Sequence, residues 1–262
     1  MLRPRIIPCL LVHNGGLVKT VEFQNPKYVG DPINAVKIFN EKEVDELIVL
    51  DIDATKNKNG PDFDLIRKLA IECRMPFCYG GGVTNVEQAK KIINLGAEKV
   101  AISSAAVTNL RLLEEIGTKV GQQSIVVVLD VRKKTKLLGT SVYEIYINNG
   151  KTKLNLNFVD FIHQLNGIGI GELVLNSIDN DGLMKGYDLE LIDLARKTTD
   201  FPLTALGGAG SLNDLKDLFD RFGIIGAAAG SFFVFKGKFR AVLISYPSKN
   251  DIRLITQNTF KK

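Results

Sequence analysis

Residues 46–82 read ELIVLDIDATKNKNGPDFDLIRKLAIECRMPFCYGGG, and residues 172–208 read ELVLNSIDNDGLMKGYDLELIDLARKTTDFPLTALGG. A shift of 126 positions superimposes the two stretches without a gap, and 11 of the 37 pairs are identical. Unrelated segments would share roughly two or three. The matches include Asp53/Asp179, Gly60/Gly186, Asp62/Asp188, Pro76/Pro202, Gly81/Gly207 and Gly82/Gly208, so turn residues repeat as well as leucines. Each stretch begins with an apolar, β-branched run, continues through an amphipathic run, and closes on a short apolar run before glycines. That is the signature of strand, helix, strand. The offset is near half of the 262 residues, so the chain reads as two related halves.

Working outward, eight strand-like runs are expected at residues 5–12, 46–52, 77–79, 99–103, 124–131, 172–177, 203–206 and 224–229. Amphipathic helical runs at 32–42, 63–73, 86–95, 110–120, 159–166, 189–197 and 212–222 lie between most of them. Asp31 followed by Pro32 predicts a capped helix start, and Asn109 and Ser211 are further cap candidates. Alternating β and α elements imply a parallel sheet covered by helices, and eight such units match an α/β fold of the (β/α)8 TIM-barrel type. The expected organisation is one domain over residues 1–262, with half-barrels about 1–120 and 121–240 and a polar tail at 241–262 that closes the barrel base or frays. Two long excursions follow strands: residues 14–30, opening on Asn14-Gly15-Gly16, and the segment between Asp130 and Val159. In the second, alternation over 143–147 before Asn148-Asn149-Gly150 predicts a hairpin. Long loops at this face of a barrel often act as lids.

Composition narrows the function classes. The chain carries 45% apolar and 24% charged residues, too apolar for disorder. Cys9, Cys73 and Cys78 have neither disulfide nor metal-ligand spacing, which fits a cytoplasmic protein with no metal and no cofactor. The N-terminal apolar run is too short to span a membrane. Thirty-four basic against 29 acidic residues leave +5, but the lysines are scattered and tryptophan is absent, so nucleic-acid binding has little support. The run at 132–136 is expected to begin a solvated loop.

Gly81-Gly82 and Gly207-Gly208 follow the third and seventh strands and precede helical patterns. Glycine lets the backbone approach an anion, and the N–H groups of a following helix favour negative charge. One unit later, Ser103-Ser104 and Gly230-Ser231 end the neighbouring strands. Tight turns need glycine anyway, but two clusters in related places predict two phosphate cradles and an elongated ligand with a phosphate at each end.

The motifs RIIPCL, DELIVLDIDA, YGGGVTNVEQAKKI, GAEKVAIS-SAAV, VVVLDVR, SIDNDGLMKGYD and GGAG resemble the HisF family, the cyclase subunit of imidazole glycerol phosphate synthase, from about residue 1 to 240. A phosphoribosyl isomerase of the same pathway shares the half-barrel duplication. The resemblance implies a TIM barrel forming a heterodimer with a HisH-type glutaminase. Ammonia would pass through the barrel to a bisphosphorylated formimino-aminoimidazole-carboxamide ribonucleotide, giving imidazole glycerol phosphate. It assigns Arg5, Glu46, Lys99 and Glu172 to the ammonia gate, which favours the cyclase over the isomerase. The alternative for these four is solvated charge at strand starts, yet inward charges are costly unless paired, and two acids facing two bases would pair. The resemblance further assigns Lys19, Asp51, Asn176, Asp181 and Gly182 to substrate binding, beside the residues of the two cradles.

Catalysis is where the sequence departs. The family uses two aspartates, at the ends of the first and fifth strands. The second is Asp130, but Leu11 occupies the position of the first. Losing one general acid or base costs about 10²–10⁴ in rate. His13 lies on the same side of an extended strand and is a candidate substitute, against the plainer reading of an exposed loop histidine. Leu206 replaces the family's serine, Asn176 its threonine and Ser103 its asparagine. Two functions are therefore expected to compete. One is the cyclase reaction of histidine biosynthesis. The other is that of a HisF-like paralogue relaying ammonia to a separate amidotransferase for acetamidino-sugar formation in surface polysaccharide.

Overall fold

The computed structural model describes residues 3–135 and 141–257. Its barrel strands are, in order, Arg5–His13, Leu47–Asp51, Phe77–Gly80, Lys99–Ile102, Ile125–Thr135, Glu172–Ser177, Leu203–Leu206 and Gly226–Ala229. Each pairs in parallel with the next, and the eighth returns to the first with Gly226 opposite Arg5. The sheet is thus a closed (β/α)8 barrel, as the alternation predicts.

Two apolar layers hold it. Outward side chains of the strands meet the helices in one large cluster that includes Ile6, Leu47, Tyr79, Val127, Leu173 and Leu203. Inward side chains form a second, narrower cluster of Ile7, Ile48, Cys78, Val126, Val174 and Ala228, with Leu11 and Leu50 packed against it. The period of two along each strand creates this division. Arg5, Ile7, Cys9 and Leu11 share the inner face, whereas Ile6 and Leu10 face the helices.

The helices begin where their caps dictate. The Asp31 carboxylate accepts from Asn34 N–H, with proline in the first turn, and Ser211 forms a reciprocal capping box with Asp214. Asn109 does not cap through its side chain. It is wedged between helices Ser104–Thr108 and Leu110–Val120 and ends one while starting the other.

Two segments differ from expectation, and a third, the tail, takes one of its two expected courses. Residues 14–30 form a hairpin, Gly16–Val21 against Gln24–Gly30, whose first arm pairs with the first barrel strand. The Arg132–Lys136 run does not begin a loop. The fifth strand continues to Thr135 because it gains an antiparallel partner, Ser141–Ile147, and Lys136 lies outside the described residues. That partner turns at Asn148–Gly150 into Thr152–Asn157, which is the expected hairpin. The tail does not fray over its described length. Helix Lys249–Thr256 packs on helix Leu212–Phe222, and Tyr246 donates to the Ile6 carbonyl at 2.9 Å, near the start of the first strand. Residues 258–262 of the tail lie outside the described residues. Among the described residues, no helix is long and apolar enough to cross a membrane.

Candidate active site

The N-terminal end of the barrel is closed by four charges. Arg5 reaches Glu172 through both guanidinium nitrogens, at 2.7 and 3.2 Å, and also Glu46. Lys99 donates to Glu46 at 2.6 Å and to Glu172 at 2.8 Å. Each acid therefore meets both bases. Burial works against the charge on Glu172, but Arg5 and Lys99 outweigh it and hold the carboxyl well below the usual range. Burial likewise opposes the charge on Arg5 and Lys99, and the two carboxylates more than offset it. Thr204, fully buried, donates to Glu172 and lies 3.5 Å from Arg5 Nη2. The sequence reading did not find Thr204, because its partners come from strands 32 and 199 residues away.

At the other end a cavity opens to solvent. Its lining contains Leu11, Asp130, Lys19, Asp51, Asn176, Asp181 and Gly182, together with Gly81, Gly82, Ser103, Ser104, Gly207, Gly208, Gly230 and Ser231. Apart from His13, the residues singled out for catalysis and substrate binding thus converge on one space, although they come from the ends of eight barrel strands and from the hairpin arm Gly16–Val21.

The two glycine turns repeat each other in detail. A Cβ on Gly81 would lie 2.5 Å from the Asp51 carbonyl, and one on Gly207 would lie 2.6 Å from that of Ser177. Gly82 is pressed against the backbone of Gly60, and Gly208 against that of Gly186. All four have positive φ, from +69° to +129°. Residues 51, 60, 81 and 82 map onto 177, 186, 207 and 208 at the same 126-residue offset, which explains why the Gly60/Gly186 pair recurs in sequence.

One carboxyl in the cavity has its pKa moved close to neutrality. Burial pushes Asp130 up to about 7, against the opposing hydrogen bond from the Asn176 amide at 2.8 Å, and the charge of Asp181 adds to the rise. Asp181 is itself raised by burial, although the Thr20 hydroxyl (2.6 Å) and Phe23 N–H (3.1 Å) donate to it. Asp51 is raised by burial too, while it accepts from the N–H groups of Asp53 and Ala54 at 2.9 and 3.1 Å. Lys19 is buried, which lowers its pKa, and its ammonium donates to the Cys9 carbonyl. A side chain at Gly230 would collide with it.

Opposite Asp130, Leu11 points inward and offers no proton. His13 does not take its place. Its Nδ1 lies 2.8 Å from Asp53 Oδ1 and its Nε2 lies 3.2 Å from Asn14, and the ring is outside the cavity lining. The two-residue step moves it past the rim of the barrel. Further lining residues, Thr20, Phe23, Thr55 and Asn149, were missed because they sit on the two hairpins and the one-turn helix Ala54–Asn57, where periodicity is silent. The Asn148-Asn149-Gly150 turn was the available signal for one of them. Asn149 donates from its amide to the Ile52 carbonyl at 2.7 Å, so this hairpin tip is latched over the cavity.

The description "Histidine biosynthesis protein" belongs to the family model that matches residues 5–240. Similar relatives include a Leptospira interrogans protein provisionally named imidazole glycerol phosphate synthase subunit HisF, 53% identical over 96% of this chain and 98% of its own. A provisionally named subunit hisF3 from Vibrio vulnificus is 52% identical over 96% and 95%. The imidazole glycerol phosphate synthase subunit HisF of a Hydrogenobaculum species, named without that qualification, is 36% identical over 97% and 99%.

Proposed function

Because the chain belongs to the histidine biosynthesis protein family, among its HisF barrels, we propose that it is the ammonia-receiving subunit of a glutamine-dependent synthase of the imidazole glycerol phosphate synthase type. The observation that carries this reading is the ring of Arg5, Glu46, Lys99 and Glu172 at the base of an apolar lumen. Two buried carboxylates with two half-buried bases at the closed end of a barrel are expensive for stability alone. A neutral molecule as small as ammonia would cross the apolar interior once the ring parts. The partner is a HisH-type glutaminase docked at that end as a heterodimer.

At the open end, the Gly81–Gly82 and Gly207–Gly208 turns, completed by Ser103–Ser104 and Gly230–Ser231, would hold the two phosphates of the formimino-aminoimidazole-carboxamide ribonucleotide. Lys19, Asp51, Asn176, Asp181 and Gly182 would orient the body of the substrate between them. Asp130, with its pKa near neutrality, would accept and return the proton as ammonia adds, the chain cleaves and the imidazole ring closes. The products would be imidazole glycerol phosphate and the aminoimidazole carboxamide ribotide released by the cleavage, and the setting cytoplasmic.

Leu11 favours a second reading. Without the other acid–base group, the barrel would relay ammonia to a separate amidotransferase that forms acetamidino sugars for surface polysaccharide. The higher identity to the provisionally named relatives than to the Hydrogenobaculum subunit is in keeping with divergence from the histidine enzyme. The deciding experiment supplies the ribonucleotide and ammonium to the purified protein and to Leu11→Asp. Turnover by the unmodified chain supports the cyclase. Turnover by Leu11→Asp alone supports the relay.

A further inference from the structure

Asparagine followed by glycine occurs four times, at residues 14–15, 59–60, 149–150 and 166–167. Such a pair can modify itself, because a glycine without a side chain lets its backbone nitrogen approach the asparagine side-chain carbon. The structure treats the four amides differently. Asn149 donates to the Ile52 carbonyl at 2.7 Å, and Asn166, within helix Phe158–Ile168, donates to that of Thr198 at 3.0 Å. Asn59 is exposed, and its side-chain amide has no hydrogen-bond partner among the described residues. Asn14 is exposed too, but its amide nitrogen lies 3.2 Å from His13 Nε2. Asp53 gives that histidine its direction. Its Oδ1 lies 2.8 Å from His13 Nδ1, and its Oδ2 accepts from Asn14 N–H at 2.8 Å. Burial works against the charge of Asp53, but Asn14 N–H and His13 outweigh it and hold the carboxyl below its usual range. In its protonated form the imidazole carries an N–H at each nitrogen, one facing Asp53 and the other facing the Asn14 amide. Asn14 and Gly15 make the two-residue turn between His13 and Gly16, and a Cβ on Gly15 would meet nothing within 4 Å.

We propose that Asn14 is a self-deamidation site, with His13 as the general acid and Asp53 as the residue that positions His13. The Gly15 nitrogen loses its proton to water and attacks Asn14 Cγ, closing a succinimide. The bond from Cγ to Nδ2 breaks as His13 Nε2 delivers a proton, and ammonia leaves. The imidazole then regains its proton from solvent. Water opens the imide at either carbonyl and leaves aspartate or isoaspartate. Isoaspartate adds a methylene to the backbone of the turn that leads into strand Gly16–Val21. That strand brings Lys19 to the Cys9 carbonyl and Thr20 to Asp181, so the modification acts on the cavity wall.

Peptide mapping by mass spectrometry tests this, on the full chain sampled through a long incubation at neutral pH. The quantity read is the fraction of aspartate plus isoaspartate at each of the four pairs. Asn14 should lead Asn59, and the hydrogen-bonded Asn149 and Asn166 should come last. His13→Gln keeps a donor for Asp53 but transfers no proton, and should slow Asn14 by about tenfold. Asp53→Asn should slow it as well, while Asn59 keeps its rate in both variants. A histidine and aspartate that only brace the turn predict the reverse, because a loosened turn deamidates faster. Asn149 and Asn166 staying last in each variant shows that it is folded. The comparison of Asn14 with Asn59 in the unmodified chain needs no variant at all. Asn14 no faster than Asn59 there, or an Asn14 rate unchanged or raised in a folded variant, would overturn the proposal.

Discussion

The side-chain amide of Asn176 donates to Asp130 at 2.8 Å, across adjacent fifth and sixth barrel strands whose register places the two residues opposite one another. The bond favours the ionised carboxylate, yet burial is stronger and leaves Asp130 near 7. In the unfolded chain the same carboxyl titrates near 4. Between those values the folded state keeps a proton that the unfolded state has lost, so this group's contribution to stability falls as pH rises from about 4 to about 7. Asp130→Asn removes the titration while keeping an acceptor for Asn176. It should gain on the unmodified protein across that window, by about 2–4 kcal/mol at pH 8. Denaturant unfolding at pH 4, 6 and 8 measures this. A pH-independent difference would show that Asp130 titrates normally.

The charged ring yields a prediction of opposite sign. Glu172 lies well below the ordinary carboxylate range because Arg5 and Lys99 hold its charge against burial. Its stabilising contribution is complete above the unfolded pKa near 4.3 and is lost as pH falls toward the folded value. Arg5→Met strands part of that charge and should cost about 3–5 kcal/mol at pH 7. Arg5→Met with Glu172→Leu should recover most of the loss, because an apolar pair needs no counter-charge. Melting temperatures of the two single variants and the double variant close the cycle, and additive losses would contradict a mutually neutralised ring.

The eight strands and the glycine turns were legible because each depends on local pattern, whereas the ring was legible only through the family resemblance that assigns its four residues. What escaped depends on pairing through space. Residues 14–30 lack clean alternation, and their hairpin forms because Leu11, Val12 and His13 offer an edge to Val18, Leu17 and Gly16. The charged run after Asp130 reads as solvated, but its charges find partners. Arg132 lies 3.3 Å from Asp179, and Lys133 lies 2.6 Å from Glu190. His13 shares the parity of Leu11, and only the structure reveals Asp53 drawing it away from the cavity.

Thr204 and Gly226 form another pair that sequence alone could not connect. They sit opposite each other on the seventh and eighth strands, and a methyl group on Gly226 would overlap the Thr204 hydroxyl that donates to Glu172. Gly226→Ala should therefore destabilise by about 1–3 kcal/mol, the cost of overpacking a tight interior. Adding Thr204→Ala should return part of it by clearing the hydroxyl. If the added substitution brings only a further loss in melting temperature, the clash is not the cause.

Gly82 and Gly208 should respond alike to alanine, because each meets backbone that cannot withdraw. A Cβ on Gly82 lies 2.7 Å from the Gly60 carbonyl carbon, and one on Gly208 overlaps the Gly186 carbonyl oxygen. Both also hold positive φ, at +69° and +110°. Strain and overlap together should cost about 2–4 kcal/mol at either position. Gly223 separates the two contributions. Its φ is also +69°, but nothing lies within 4 Å of a Cβ there. Gly223→Ala should therefore cost only the conformational part, about 1–3 kcal/mol and less than at either of the other two sites. Thermal unfolding of the three variants checks the order. Equal losses at all three sites would mean that backbone conformation, not the close approach repeated in both halves, demands these glycines.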